Sequence, residues 1–171
     1  NMTIIKNDTE AADISVNRTS SDKQTFGGLI GTYLSDNTSN SLTVSGISVS
    51  ADNSAGGAEY FGGLIGKADD DSYIRLENVS VSASGCKNVT SFGGIAGYAD
   101  KAFIDAENVT VNTNSDFIGG GIIGNMNGGV LRLGGTTDLS NTKAAGGGQI
   151  VGTRGAALIY AQNGWQLNRG E

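Results

Sequence analysis

The sequence has no proline and no histidine, one cysteine (Cys86), and aromatic residues at only 6%. Each shortage removes a class of function. Without histidine there is no Ser-His-Asp or Cys-His nucleophile system, no imidazole acid–base pair and no imidazole-ligated metal. A single cysteine makes neither an internal disulfide framework nor a multi-cysteine zinc site. Basic residues are also few. Eleven Lys and Arg stand against 17 Asp and Glu, a net charge of −6, so the basic footprint of a nucleic-acid binder is missing. No apolar run approaches the ~20 residues of a membrane span.

Small and polar residues are plentiful: Gly, Ser, Thr and Asn make up 75 of 171 residues. That composition suits a linker. However, 37% of the chain is hydrophobic, and these residues fall in short ordered clusters, which argues for a folded domain over intrinsic disorder.

The clusters repeat. Phe26-Gly27-Gly28-Leu29-Ile30-Gly31 returns as Phe61-Gly62-Gly63-Leu64-Ile65-Gly66 and as Phe92-Gly93-Gly94-Ile95-Ala96-Gly97. Gly119 to Gly124 is a fourth copy, with Phe117 displaced two residues upstream, and Gly147 to Gly152 a fifth. The last glycines are 35, 31, 27 and 28 residues apart, unequal periods that suit a solenoid with loops of varying length.

Two apolar pairs follow each glycine motif, such as Ile74 and Leu76, then Val79 and Val81. Each alternates with polar residues at the period of a half-buried strand. Gly46, Asn78 and Asn108 interrupt the alternation, and both residue types tolerate the left-handed backbone of a corner.

The spacing predicts an all-β parallel β-helix of about five coils with three short strands per coil: the glycine motif and the two apolar pairs. Interior stacks are expected from Leu29, Leu64, Ile95, Ile122 and Ile150, from Val49, Val81 and Val111, and from Ile74, Ile104 and Leu131. The glycine strand is apolar on both faces. Either the glycines bend the backbone so that both sets turn inward, or the Phe row lies outside beneath loops. The whole chain, 1–171, reads as one solenoid domain. Residues 1–25 form a leading partial coil or cap, 26–152 the core repeats, and 153–171 a final coil whose Trp165 and Leu167 cover the end. The chain starts at Asn1 within the repeat pattern and reads as a piece of a larger polypeptide.

The repeated Phe-Gly-Gly-Leu-Ile-Gly, followed by a β-rich segment with Asn-Val-x-Val, resembles the GLUG-motif repeats of bacterial secreted and cell-surface proteins. Such repeats occur in adhesin-like proteins and beside immunoglobulin A metalloprotease domains. The resemblance spans residues 26 to about 152. It rests on Phe26, Gly27, Gly28, Gly31, Phe61, Gly62, Gly63, Gly66, Phe92, Gly93, Gly94 and Gly97, and is weaker in the last two copies. It implies a β-solenoid in an extracellular or surface setting. It implies no activity, because the motif is structural and carries no catalytic residues.

Chemistry-bearing clusters are sparse. Asp69, Asp70 and Asp71 are a calcium candidate, but they lack the spacing of calcium-binding β-rolls and suit a solvated turn better. Asp70, Asp71, Asp100 and Asp105 are the carboxylates from which a glycosidase pair would be drawn. Few aromatics are present to build a cleft around them, so a non-enzymatic protein without a cofactor is expected. Thr43, Arg75, Asp105 and Arg132 align as an outward ladder with opposite charges on adjacent coils, whereas Glu77 over Glu107 stacks like charges. Ser48, Ser80 and Thr110, beside Ser50, Ser82 and Asn112, raise the idea of ice binding. Rows this short and mixed better suit an ordinary soluble β-face. Cys86 reads as structural, and the Asn-x-Ser/Thr sequons as by-products of composition.

Tyr33, Tyr60, Tyr73, Tyr98 and Phe103 lie near strand ends or loops. Tyr33, Tyr73, Tyr98 and Phe103 are the expected ligand-contact residues, since exposed aromatics stack on sugars or anchor interfaces. The loop from Asp52 to Glu59, in the longest repeat interval, is a second place for recognition. The functional expectation is a repeat module acting as adhesin or stalk. It would display a surface for a host protein or glycan, without nucleic acid or membrane insertion, as part of a larger polypeptide. The alternatives are an accessory substrate-binding region of a secreted protease or glycan-active enzyme, and a pure spacer.

Overall fold

The computed structural model describes residues 2–5, 12–18, 22–35, 41–69, 71–86, 88–113, 117–142, 144–146 and 148–169. They form a parallel β-solenoid of about four turns, with no helix among them. Two leading strands, β1 (Met2–Ile5) and β2 (Ala12–Asn17), precede five strand layers, called coils below, which are separated by the four turns of the chain. The first coil contains β3 (Phe26–Gly27), β4 (Ile30–Leu34), β5 (Ser41–Ser45) and β6 (Ile47–Asp52). The second has β7 (Tyr60–Gly62), β8 (Ile65–Asp69) and β9 (Tyr73–Ser84), and the third β10 (Ser91–Gly93), β11 (Ala96–Asp100) and β12 (Phe103–Thr113). The fourth has β13 (Phe117–Gly120), β14 (Ile123–Asn127) and β15 (Val130–Asn141). The fifth has β16 (Ala144–Gly146), β17 (Val151–Arg154), β18 (Leu158–Ala161) and β19 (Gln166–Arg169).

Stacking produces three parallel sheets. One large sheet runs β1-β5-β9-β12-β15-β18, with β2 and β6 extending it at one end and β19 beside β15. Two five-stranded sheets run β3-β7-β10-β13-β16 and β4-β8-β11-β14-β17.

The three segments per coil are cut differently from the sequence expectation. The glycine motif is not one strand: it bends at Gly63-Leu64 and its two halves join different sheets. The two apolar pairs are one continuous strand in coils two to four, kinked in the middle. The kink residues Asn78, Asn108 and Gly135 have φ of 54°, 53° and 58°. A single left-handed residue turns the strand without ending its ladder, and asparagine accepts that conformation better than most side chains. Its amide also bridges coils: Asn108 Nδ2 donates to Asn78 Oδ1 at 3.2 Å, and the Thr136 amide donates to Asn108 Oδ1 at 3.0 Å.

The bend settles which face of the motif is core: both are. Leu64 and Ile65, consecutive residues, are each fully buried, which an unbent strand with alternating sides does not allow. The expected interior stacks form. The Leu29 amide donates to the Leu64 carbonyl at 2.9 Å, the Leu64 amide to Ile95 at 3.2 Å, and the Ile95 amide to Ile122 at 2.8 Å. Val49, Val81 and Val111 are in register, as are Ile74, Ile104 and Leu131.

The Phe row occupies a second, smaller chamber. Phe61, Phe92 and Phe117 are buried there with Ala51, Ala58, Ala83 and Cys86. Ring centroids along the row are 5.1 Å (Phe26–Phe61), 5.2 Å (Phe61–Phe92) and 4.5 Å (Phe92–Phe117). Such pairs contribute about 0.5–1.5 kcal/mol each beyond area burial. Gly119 sits opposite Phe92 in the strand register, and Phe117, two residues upstream and so on the same face, still reaches the row.

Between the two chambers the motif's second glycine presses on the valine row. A Cβ on Gly28 would lie 2.7 Å from Val49 Cγ1, and one on Gly94 would lie 2.5 Å from Val111 Cγ1. The motif's last glycine instead meets the preceding coil: a Cβ on Gly97 would lie 2.6 Å from the Phe61 nitrogen.

At the other end, Trp165 and Leu167 pack partly buried against the core, and Trp165 Nε1 donates to Thr137 Oγ1 at 2.9 Å. Their cover is partial, because Leu158, Ile159 and Tyr160 stay exposed on β18.

Gly31 and Gly97 hold the same motif position, but a Cβ on Gly31 has its nearest neighbour at 3.8 Å. Gly31→Ala should therefore be nearly neutral. Gly97→Ala should cost at least ~1–3 kcal/mol through overpacking. Urea denaturation of the two variants measures the difference, and equal midpoints would contradict the close-approach reading.

Candidate functional site

Outward residues of stacked strands stand above one another at the ~4.8 Å strand spacing, so each sheet face is a set of side-chain rows. Tyr73 and Phe103 are register partners at the start of the large sheet's strands, and their rings stack at 4.9 Å and 16°. Val130 and Leu158 continue their row. Tyr98 lies on the outer face of the adjoining small sheet, where Lys67 is its register partner. Tyr60 reaches it from the other small sheet, with centroids 4.8 Å apart and tilted by 40°. The Lys67 ammonium lies 5.6 Å from the Tyr98 ring centre, within cation–π range, and pairs with Asp69. The hydrogen bond to Asp69 raises the Lys67 pKa despite some desolvation. Partial burial, with Glu59 nearby, raises that of Tyr60.

The expected contact residues thus divide. Tyr73 and Phe103 form one patch, and Tyr98 forms a second with Tyr60 and Lys67. Tyr33 joins neither. Its register partner is the fully buried Ala68, and its ring packs against the main core, where burial raises its pKa. The sequence reading left out Lys67. The signal was there, since Lys67 and Tyr98 each directly follow the motif's last glycine.

The carboxylates do not converge. Lys67 holds Asp69, Asp70 lies outside the described residues, and Asp71 is an exposed turn residue at φ 57°. Asp100 Oδ1 accepts from Asn127 Nδ2 at 3.1 Å. Asp105, on the large sheet, is gripped by both arms of Arg132, with Nε to Oδ1 at 3.0 Å. Among the described residues, no group of three or more His, Cys, Asp or Glu is placed to hold a metal.

The charge ladder forms in the expected register, Thr43 to Arg75 to Asp105 to Arg132. The Glu77–Glu107 stack has a neighbouring base: Arg75 lies 3.9 Å from the Glu77 carboxylate. Both Arg75 and Glu77 are well exposed, so this relief is small.

The serine rows line a shallow groove of about 330 Å³ with Asp13 and Ser15, in place of a flat face. The loop from Asp52 to Glu59 is turned to packing. Asn53, fully buried, accepts from Arg18 Nη1 at 2.8 Å and donates to the Gly85 carbonyl at 3.2 Å. Ala58 closes the Phe chamber.

No protein-family model, curated protein or solved structure matches the chain.

Asp52 gives a pH test of this loop. Hydrogen bonds from Ser54 and then Ser84 hold its pKa below the ordinary 3.8. A depressed folded pKa means stability that is present above 3.8 and lost as pH falls through the folded value. Ser84→Ala should move the Asp52 titration, followed by NMR, back towards 3.8 and reduce that loss; an unmoved titration would remove Ser84 as its cause.

Proposed function

We propose that the chain is a non-enzymatic repeat module of a bacterial cell-surface or secreted protein, an adhesive stalk that displays a surface for a host protein or glycan. The observation that carries this reading is the pair of aromatic patches on fixed outward rows, Tyr73 with Phe103 and Tyr98 with Tyr60 and Lys67. Rings held by strand register lose little freedom on binding, which favours recognition by stacking. Asp100, Asn125 and Asn127 lie beside Tyr98 on the same small sheet and supply hydrogen-bonding groups of the kind that orient a sugar or peptide. The resemblance of the first three repeats to GLUG motifs supports the extracellular setting.

A glycan array and a host-protein panel probed with the folded chain test this reading. Binding is expected, and Tyr98→Ala or Phe103→Ser should weaken it about tenfold or more, the loss of one anchor residue. Absence of binding at high protein concentration would leave a spacer as the better account.

A further inference from the structure

We propose that Asn163 is a site of spontaneous covalent modification, in which its side-chain amide is lost to the backbone of Gly164 and the turn before β19 is rebuilt. The sequence contains two Asn-Gly pairs, Asn127-Gly128 and Asn163-Gly164. Glycine leaves its own backbone nitrogen unshielded, so such pairs share one intrinsic reactivity. In the reaction the Gly164 nitrogen attacks Asn163 Cγ and a new C–N bond closes a succinimide. The Cγ–Nδ2 bond breaks, and ammonia leaves with the proton from the Gly164 nitrogen. Water then opens the ring at either carbonyl, giving an aspartyl residue or an isoaspartyl residue whose main chain runs through the former side chain.

The fold separates the two pairs. Asn127 is clamped between coils. Its Nδ2 donates to Asp100 Oδ1 at 3.1 Å, and its carbonyl accepts from the Lys101 amide at 3.1 Å. The coil above also packs on it, since a Cβ on Gly155 would lie 2.8 Å from Asn127 Oδ1. Turning the Asn127 amide towards Gly128 breaks these contacts. Asn163 is exposed in a turn, and nothing lies within 4 Å of where a Gly164 Cβ would be. Gly164 has φ of 83°, and the turn is closed by the Trp165 amide donating to the Gln162 carbonyl at 3.1 Å.

The site also has leverage. The turn joins β18, paired through Leu133↔Ala161, to β19, paired through Thr136↔Gln166. An isoaspartyl link adds one main-chain carbon between these two fixed points. Trp165, the only tryptophan, sits next to the turn and is tied to Thr137, so its fluorescence reports the change.

The test is incubation of the folded chain at mildly alkaline pH, with peptide mass mapping and enzymatic methyl labelling of isoaspartate. The peptide containing Asn163 should deamidate several-fold faster than the one containing Asn127, whereas in urea the two should react alike. Trp165 emission should shift to the red in step with the isoaspartate label. Asn163→Gln should abolish the fluorescence shift and the label in that peptide, and Asp100→Ala should accelerate reaction at Asn127 alone. Equal or faster reaction at Asn127 in the folded chain would overturn the proposal. So would an inert Asn163 over the time in which the unfolded chain reacts. Isoaspartate formation without a fluorescence change would overturn the rebuilding of the turn.

Discussion

The solenoid depends on backbone meeting packed neighbours where no Cβ fits. In the first three coils the second motif glycine presses on the valine row, as Gly94 does on Val111, and from the second coil on the last glycine presses on the coil before it, as Gly97 does on Phe61. Replacing either hydrogen by a methyl group pushes apart structures on both sides, and a close-packed interior absorbs little of that. Because these contacts recur from coil to coil, they set the depth of the interior through the middle of the stack. The bend beside it turns Leu64 and Ile65 inward together and leaves the Phe row its own chamber.

That constraint reaches the surface through register. Once the glycine bends fix how one coil lies on the next, the outward rows follow: Tyr73 over Phe103, Lys67 over Tyr98, Arg75 over Asp105. The ion pairs and aromatic stacks on these rows contribute roughly 0.2–1 kcal/mol each, too little to impose the stacking themselves. They are consequences of the core, and they leave the outer faces ordered. The final coil is where the pattern relaxes. Its strands β18 and β19 are joined by an exposed turn, and it contains both the exposed apolar residues of β18 and the reactive Asn163.

Much of this was legible in the sequence. Repeat offsets alone gave the parallel stacking, the interior stacks, the charge ladder and the left-handed corners at Gly46, Asn78 and Asn108. The split of the glycine motif between two sheets was not, because a run of Gly-Gly-Leu-Ile is compatible with an extended strand or a bend, and only the coil below decides. Tyr33 looked like its fellow tyrosines, yet it falls one position later than Tyr98 in the repeat, and a shift of one residue moves a side chain from the outer face to the inner one. Asn53 and Arg18, 35 residues apart, form a buried contact that no local pattern announces.

Amide hydrogen exchange across the bends tests the central claim most directly. The Leu64, Ile65, Ile95 and Ile122 amides donate to the next coil within the bends themselves. If the glycine contact holds the coils together, these amides exchange as slowly as those at the centre of β9 and β12, and they open with them in one global event. Fast exchange at the bends while the large sheet stays protected would contradict the account, leaving the large sheet as the part on which the solenoid depends.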